Sequence, residues 1–249
     1  MELNLKERLI LFKNKKMQVD IWSDTRCPFC FIGKRNFEKA LQAFSQNDKV
    51  EVNWHSFQLD PNMKTDLSKN HYEYLSEVKG FPMSQIMQMH ENLIQSGKNA
   101  GIHFNFEEVK VSNSFRSQML VQLSKEKGKA DETEELLFEA YFKLGKDIDN
   151  IEVLSEIGNK IGFSNEEIQN AVKSEELSEL VNDDINEASN LGIRGVPFFV
   201  FNQKYAISGA QPTHLFSEVL EKSWSEFSES DSDLKIIEEG DSCEIDGNC

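Results

Sequence analysis

The sequence predicts an α/β fold in which a mixed sheet carries helices on both faces and is interrupted by an inserted all-helical domain. Three observations indicate this. Residues 17–56 show a strand, a helix and a second strand; residues 63–175 show helical periodicity without a convincing strand; and residues 176–224 show a helix, a β-hairpin and a final helix. Without the middle block, the order is β-α-β-α-β-β-α, and the first unit should have parallel strands with a right-handed crossover.

The first three elements are each predicted from their periodicity. Residues 17–22 alternate apolar and polar side chains, which indicates a strand. Residues 28–44 are predicted to be helical, because apolar side chains recur at helical spacing: Phe37, Ala40, Leu41 and Phe44. A second strand follows at 50–55, where three apolar residues alternate with three polar ones: Val50, Val52 and Trp54 against Glu51, Asn53 and His55.

Cys27 and Cys30 lie at the junction of the first strand and helix. The unpaired N–H groups and the dipole at a helix N-terminus favour an anion, and Arg26 adds a positive charge beside Cys27. Both effects favour the thiolate, the form of cysteine that attacks disulfides. Cys30 lies one turn along the helix, where it can reach Cys27. Two alternatives are half of a zinc site and two unrelated buried cysteines. No second CxxC or HxxxH pair accompanies the motif, which favours redox chemistry.

The middle block contains several amphipathic helices separated by glycines. Ser164 to Glu167 form a predicted capping box, which begins one of them. His90 and the methionines near it are more typical of core or groove-lining residues than of a ligand set: Met83, Met87 and Met89.

The last part of the chain begins with a long helix that should end at Gly192. A buried strand is predicted at 194–201, with Pro197 near its start. A turn at 202–204 and a partner strand at 205–207 complete a hairpin. The final helix should have Pro212 in its first turn.

Composition restricts the location and the partners. The formal net charge of −16 argues against nucleic acid and anionic membranes as partners. No apolar run has membrane-spanning length, and the apolar patch near the N-terminus is too short for a signal peptide. A cytoplasmic location is therefore expected. Structural disulfides are then unexpected, and the four cysteines are more typical of catalytic or redox-active residues.

Five further runs make the chain resemble one branch of the thioredoxin superfamily. They are Trp22-Ser23-Asp24, Phe31-Ile32-Gly33-Lys34, Ala140-Tyr141-Phe142 with Gly145-Lys146-Asp147-Ile148, Gly195-Val196-Pro197-Phe198-Phe199, and Ser208-Gly209-Ala210-Gln211-Pro212. Together with the CxxC motif and the inserted helices, they resemble the DsbA family, and specifically its FrnE-like thiol–disulfide oxidoreductases. The resemblance extends from residue 17 to about residue 224 and implies a thioredoxin-like fold.

The resemblance also implies roles for individual residues. Cys27 matches the nucleophile and Cys30 the resolving cysteine. Pro197 matches the family's cis-proline, and the backbone of Val196 could pair with an extended peptide. Together with Pro28 and Phe29, these two residues are the predicted substrate-binding surface. The chain departs from the family at Gln118, which occupies the expected position of a histidine.

The acidic tail contains a second pair of cysteines, Cys243 and Cys249. They could relay electrons to or from the first pair by thiol–disulfide exchange. Alternatively, they pair with each other or stay reduced in a solvated tail. Residues 246–248 lack the spaced acidic ligands of a calcium loop, and no metal site is predicted.

The predicted organisation is an N-terminal extension (1–16), a thioredoxin-like domain in two parts (17–62 and 176–224), the inserted helical domain (63–175) and the tail (225–249). The predicted activity is disulfide exchange or isomerisation on protein or low-molecular-weight thiols, in a monomer or homodimer. No cofactor is expected, except glutathione as a possible co-substrate. One alternative is a glutathione-dependent isomerase or kappa-type transferase, in which serine tends to replace Cys27. The other is a non-enzymatic module, which would either bind a peptide in a groove or bind zinc through the four cysteines.

Overall fold

The computed structural model describes residues 15–230 of the chain, so Cys243, Cys249 and most of the N-terminal extension lie outside the described residues. Its sheet has four strands in the order β2-β1-β3-β4: β1 (Met17–Ser23), β2 (Val50–Ser56), β3 (Phe198–Phe201) and β4 (Tyr205–Ser208). β1 pairs with β2 in parallel and with β3 antiparallel, and β3 and β4 form an antiparallel hairpin. The predicted mixed sheet is therefore confirmed.

Helices surround this sheet. Within residues 15–230 they are α1 (Pro28–Ala43), α2 (His71–Lys79), α3 (Met83–Ala100), α4 (Phe115–Lys125), α5 (Ala130–Phe138), α6 (Ile151–Lys160), α7 (Asn165–Ala171), α8 (Glu175–Asn190) and α9 (Thr213–Ser230). A π-helical turn, Glu139–Lys143, extends α5, and a 3₁₀ turn, Asn47–Lys49, precedes β2. Helices α2 to α7 lie between β2 and α8 in the chain, which confirms the predicted helical insertion.

Two boundaries differ from the sequence prediction. The strand predicted at 194–201 begins only at Phe198, because the bends at 195–197 keep these residues out of the sheet. A proline has no N–H to donate to a strand ladder, which accounts for the late start. The final helix continues past residue 224 to Ser230.

The alternation of side chains places apolar residues on both faces of the sheet. On one face, Phe37 of α1 lies 5.6 Å from Phe199 and 5.8 Å from Phe216 of α9, measured between ring centroids. On the other face, Trp22 packs with Ala188 of α8 and with Ile193. Burial of apolar side chains on both faces is the main stabilising contribution to such a layered fold.

The helical insertion shares the core of the sheet through the residue that follows the CxxC motif. Phe31 is fully buried, and its ring stacks on Phe138 at 5.0 Å and lies 6.5 Å from Phe142. Trp54 of β2 adds a polar link, since its Nε1 donates to Asp131 Oδ1 at 3.2 Å. α1 therefore connects the two parts of the fold.

Local signals within the insertion are as the sequence predicts. Ser164 accepts from the backbone N–H of Glu167, whose side chain accepts from the N–H of Ser164, so the capping box is present. Between residues 15 and 230, no helix combines the length and the apolar character needed to cross a membrane.

Candidate active site

Cys27 and Cys30 lie at the start of α1, as predicted. Cys27 is the N-cap residue, and its N–H donates to Asp24 O at 2.8 Å. The N–H of Cys30 donates to Cys27 O at 3.0 Å, which closes the first turn. Both cysteines are free thiols and are only 3% and 1% exposed. The two thiols therefore lie together in the first turn of α1, with little exposed surface.

The loop before β3 lies against Cys27. The Val196–Pro197 peptide bond is cis, as the resemblance implies, and Cys27 Sγ lies 3.5 Å from Val196 O. Pro197 also contacts α1 at Gly33, where an added Cβ would lie 2.8 Å from Pro197 Cγ. Only glycine gives the loop this close approach to the helix. The structure therefore brings together the predicted nucleophile and the predicted substrate loop.

The four predicted substrate-binding residues differ in exposure. Phe29 is 49% exposed, Pro28 and Val196 are half-buried, and Pro197 is buried. An exposed phenylalanine beside a thiol is available for contact with a substrate, because burying apolar surface on binding is favourable.

Asp24 organises the loop that leads to the cysteines, a role that the sequence analysis missed. Its side chain is buried, and its two carboxylate oxygens accept from the backbone N–H groups of Arg26 and Leu59, at 3.0 and 2.8 Å. Its carbonyl accepts from Cys27. An aspartate that accepts from the backbone two residues on is a common turn signal, which the run Ser23-Asp24-Thr25-Arg26 contains.

The guanidinium of Arg26 faces the helical insertion. Burial acts to lower its pKa, but the hydroxyl of Tyr141 and the carboxylate of Asp24 outweigh burial and raise it. Tyr74 of α2 also lies beside this guanidinium. The sequence analysis expected the positive charge to serve Cys27. In the structure the guanidinium interacts instead with these side chains. Tyr74 and Tyr141 are distant in sequence, so only the tertiary fold brings them close to Arg26.

Cys30 has a different environment. Burial raises the pKa of its thiol well above the ordinary value, and the adjacent Cys27 acts in the same direction. The hydroxyl of Ser23 and the backbone of Asp24 act in the opposite direction through hydrogen bonds. Cys30 is therefore protonated at neutral pH and must lose its proton before it can attack a disulfide.

Two side chains of the helical insertion contact Ser23, at the end of β1 that leads to the cysteines. Gln118 of α4, at the predicted position of the family histidine, is buried, and its Nε2 donates to Ser23 O at 2.9 Å. Ser23 Oγ in turn donates to Glu134 Oε2 of α5 at 3.3 Å. The sequence gives no signal for Glu134, because it lies in an acidic run typical of an exposed helix face.

An ion-pair network lies on the other face of the sheet, where His55 stacks on Trp22 at 4.4 Å. The His55 nitrogens lie 3.0 Å from Asp184 Oδ1 and 3.1 Å from Asp20 Oδ1. Within residues 15–230, His55, Asp184 and Glu187 form the one group close enough to hold a metal ion. Burial acts to lower the pKa of His55, but these carboxylates raise it to about 9. The arrangement therefore fits an ion pair of an imidazolium with two carboxylates.

The His55 network predicts a specific pH dependence of stability. A histidine pKa that is higher in the folded state stabilises fully below pH 6.5, and this contribution is lost as the pH rises to about 9. The difference in pKa corresponds to roughly 3 kcal/mol. His55→Gln should lower the unfolding free energy at pH 6 by about that amount, and by much less at pH 10. Urea denaturation across this range measures the difference.

His103 provides the matched control for this prediction, because it is exposed. His103→Gln should leave the unfolding free energy within roughly 0.5 kcal/mol of the wild-type value at both pH values. An equal destabilisation by His55→Gln at pH 6 and pH 10 would contradict the imidazolium assignment.

Comparison with known proteins found a family model and several solved structures that resemble this chain. The family model described as the DSBA-like thioredoxin domain matches residues 18–221. The crystal structure of a "probable DsbA oxidoreductase" from Streptomyces coelicolor is 32% identical, covers 94% of this chain and 98% of its own, and superposes with a TM-score of 0.78.

Two more distant structures share the fold. The cytosolic disulfide reductase DsbM from Pseudomonas aeruginosa, determined with GSH, is 16% identical with a TM-score of 0.61, over 84% of this chain and 99% of its own. A 2-hydroxychromene-2-carboxylate isomerase is 15% identical with a TM-score of 0.64, over 87% of this chain and 100% of its own.

Proposed function

This chain belongs to the family of DSBA-like thioredoxin domains, and from that membership we propose that it is a thiol–disulfide oxidoreductase that acts through Cys27 and Cys30. One observation carries the proposal. Two free thiols lie in the first turn of one helix, and the sulfur of Cys27 lies 3.5 Å from the carbonyl before a cis-proline.

The reaction would proceed through a mixed disulfide. The Cys27 thiolate attacks a substrate disulfide, and the first substrate sulfur leaves as a thiolate. The Cys30 thiolate then attacks the Cys27 sulfur and releases the second substrate thiolate, which leaves a Cys27–Cys30 disulfide. In the reverse direction, a substrate thiolate attacks the Cys27 sulfur of the oxidised enzyme. The potential of the pair relative to its substrates decides the direction.

The substrate would lie between the helix end and the proline loop. Phe29 is the exposed apolar residue beside the cysteines, and Val196 provides backbone groups at the other side. An extended peptide could pair with such backbone groups, as a strand pairs with a sheet edge. Protein disulfides and low-molecular-weight thiols are the proposed substrates. Glutathione is one such thiol, and DsbM, a protein that shares this fold, has been determined with GSH.

The alternative activity is that of a glutathione-dependent isomerase or kappa-type transferase. The likeness to the isomerase structure supports a shared fold, and at 15% identity it carries no more than that. The intact cysteine pair weighs against this alternative, because an isomerisation that only activates glutathione needs no resolving thiol. Calorimetry with glutathione, followed by an isomerase assay, separates the two activities.

Three finer predictions complete the proposal. The chain would be an FrnE-like member of the family, with a cytoplasmic location. Cys243 and Cys249 would act as an auxiliary pair. Trp224 of α9 lies against Phe44, at the end of α1 that is opposite Cys27, roughly 24 Å along a 16-residue helix. The six residues of α9 after Trp224 add at most roughly 9 Å to this distance, and residues 231–243 could span at most roughly 43–47 Å if extended, which exceeds the sum.

The proposal is tested by two measurements on the purified protein. We expect the reduced protein to accelerate the reduction of insulin disulfides by dithiothreitol. We also expect the pair to equilibrate with glutathione redox buffers at a measurable potential, read by alkylation and mass. A potential well below the cytosolic glutathione pool favours a reductase, and one well above it an oxidase or isomerase. Failure to form a Cys27–Cys30 disulfide in any buffer would refute the function, and one zinc per chain would favour the metal-binding alternative.

A further inference from the structure

A cluster of one imidazole and three carboxylates lies on the face of the sheet opposite α1, and the reaction described above does not use it. His55 of β2 lies between Asp20 of β1 and two side chains of α8, Asp184 and Glu187. Asp184 and Glu187 are three residues apart, so they lie on the same side of their helix. Two strands and a helix that are distant in sequence therefore meet at this cluster.

The oxygen and nitrogen atoms of the cluster converge at distances that suit a metal ion. His55 Nδ1 lies 3.0 Å from Asp184 Oδ1 and 3.8 Å from Glu187 Oε2. All three ligand atoms lie within 4.8 Å of one another. Zinc bonds at tetrahedral angles separate two ligand atoms by roughly 3.3–3.6 Å. The observed separations lie on either side of this value, so small side-chain rotations would bring the three atoms to bonding distance of one ion.

Neighbouring groups orient these ligand atoms. The second imidazole nitrogen of His55, Nε2, lies 3.1 Å from Asp20 Oδ1, so it can donate its proton there and leave Nδ1 for an ion. Asp184 Oδ2 accepts from the backbone N–H of Ser56 at 2.8 Å, while Oδ1 faces the imidazole. A carboxylate behind a ligating histidine is typical of zinc sites, because it fixes the ring and raises its basicity.

The cluster is open to solvent on the side of Glu187. The side chain of Glu187 is 53% exposed, whereas those of His55 and Asp184 are 18% and 14% exposed. An ion can therefore enter from solvent, and water can occupy its fourth coordination position.

Two positive groups oppose cation binding. The ammonium of Lys125 lies 3.5 Å from Asp184 Oδ2. The imidazole of His55 holds a proton in the ion pair, and a metal ion would replace this proton at Nδ1. Three carboxylates surround these groups and the chain has a formal net charge of −16, so the surrounding charge favours a cation. The pH dependence of stability predicted above belongs to the metal-free protein.

We propose that His55, Asp184 and Glu187 bind a divalent transition-metal ion of the zinc type, with water as a further ligand. One imidazole nitrogen with two carboxylate oxygens suits zinc better than magnesium or calcium, which bind through oxygen. The ion would join β2 to α8. Because Trp22 Nε1 donates to Asp184 O at 3.2 Å, it would also hold this part of α8 close to β1.

The test must separate this site from zinc bound by thiols, which is the metal-binding alternative above. A full-length variant with serine in place of every cysteine removes the thiols: Cys27, Cys30, Cys243 and Cys249. In calorimetry at pH 8, this variant, untagged and freed of metal with a chelator, should bind one Zn²⁺ per chain. Zn²⁺ at 100 times its dissociation constant should raise the thermal midpoint by about 5–10 °C. The same concentration of Mg²⁺ should leave the midpoint unchanged.

Substitutions in the four-serine chain identify the ligands. Glu187→Gln should weaken Zn²⁺ binding at least roughly tenfold, and because Glu187 is exposed, its replacement should leave the fold intact. Asp20→Asn changes the carboxylate behind the imidazole and should weaken binding about 10- to 100-fold. Glu179→Gln is the matched control, since it removes an equal charge from an exposed position of the same helix. It should leave the Zn²⁺ affinity unchanged.

A second measurement keeps the cysteines in place. The Trp22 ring stacks on His55 with ring centroids 4.4 Å apart, so a paramagnetic ion at His55 should quench the emission of Trp22. Ni²⁺ is a suitable probe, because it also binds imidazole. Quenching should require at least roughly tenfold more Ni²⁺ in Glu187→Gln than in the wild-type protein or in Glu179→Gln.

Three results would count against the site. Equal Zn²⁺ affinity of the four-serine chain with and without Glu187→Gln would refute it. Equal stabilisation by Mg²⁺ would also refute it, because this indicates a general attraction of cations to an acidic protein. The third is a four-serine chain that keeps the wild-type circular dichroism spectrum but binds no Zn²⁺.

Discussion

Replacing Cys27 by serine should reduce insulin-disulfide reduction by at least roughly 1,000-fold, the scale of loss seen when a covalent nucleophile is removed. Cys27 is the N-cap of α1, and its sulfur lies 3.5 Å from Val196 O on the proline loop. A serine hydroxyl there is not ionised near neutral pH and cannot form the mixed disulfide. Insulin turbidity measures the loss.

Cys30→Ser is the informative partner of this variant, because it should block only the second step. Cys27 is the N-cap residue and lies against the proline loop, so a substrate between the helix end and this loop should meet Cys27 first. The variant should therefore accumulate one stable mixed disulfide per chain, and intact mass spectrometry would show it. Cys27→Ser should accumulate none. Equal trapping by the two variants, or full turnover by Cys27→Ser, would contradict the assigned roles.

Phe31→Ala should destabilise the protein by about 3–5 kcal/mol, the usual cost of truncating a buried phenylalanine. Phe31 is fully buried and stacks on Phe138 at 5.0 Å, so it joins α1 to the helical insertion. The alanine variant loses this contact and leaves a cavity between the two parts of the fold. Urea denaturation followed by circular dichroism measures the change in unfolding free energy.

Phe29 offers a matched control for this loss, because it is the same residue type two positions earlier and is 49% exposed. Phe29→Ala should change the unfolding free energy by less than about 1 kcal/mol. It should instead raise the KM for protein substrates, since it removes apolar surface from the predicted binding site. Similar destabilisation by both variants would contradict the role of Phe31 as the joining residue.

Much of the fold could be predicted because its signals are local. The alternation in β2 predicted that Trp54 and His55 lie on opposite faces of the sheet, and in the structure Trp54 is buried with α1 and the insertion while His55 is half-buried against Trp22 on the other face. The proline before β3 was assigned to a cis bond from the resemblance, and that bond is present. The sequence also placed Cys27 and Cys30 at the start of a helix, because a strand pattern ends just before them.

The surroundings of the cysteines could not be predicted, because they come from distant parts of the chain. Glu134 lies more than a hundred residues from Ser23 in sequence, and its neighbours are acidic residues of an exposed type. Arg26 looked like a partner for the thiolate, but Tyr141 from the π-helical turn engages it. Periodicity shows which face of α5 is apolar, but it does not show that a carboxyl group on this helix will meet the end of β1.

The contact between Gly33 and Pro197 has a consequence for engineering the protein. Pro28 and Phe29 lie toward the opening, so this dipeptide can be varied to tune the redox behaviour while the proline loop keeps its place. Position 33 offers no such freedom, because a single methyl group there would come within 2.8 Å of the proline ring. A mutational library should therefore diversify the spacer between the cysteines and leave this glycine fixed.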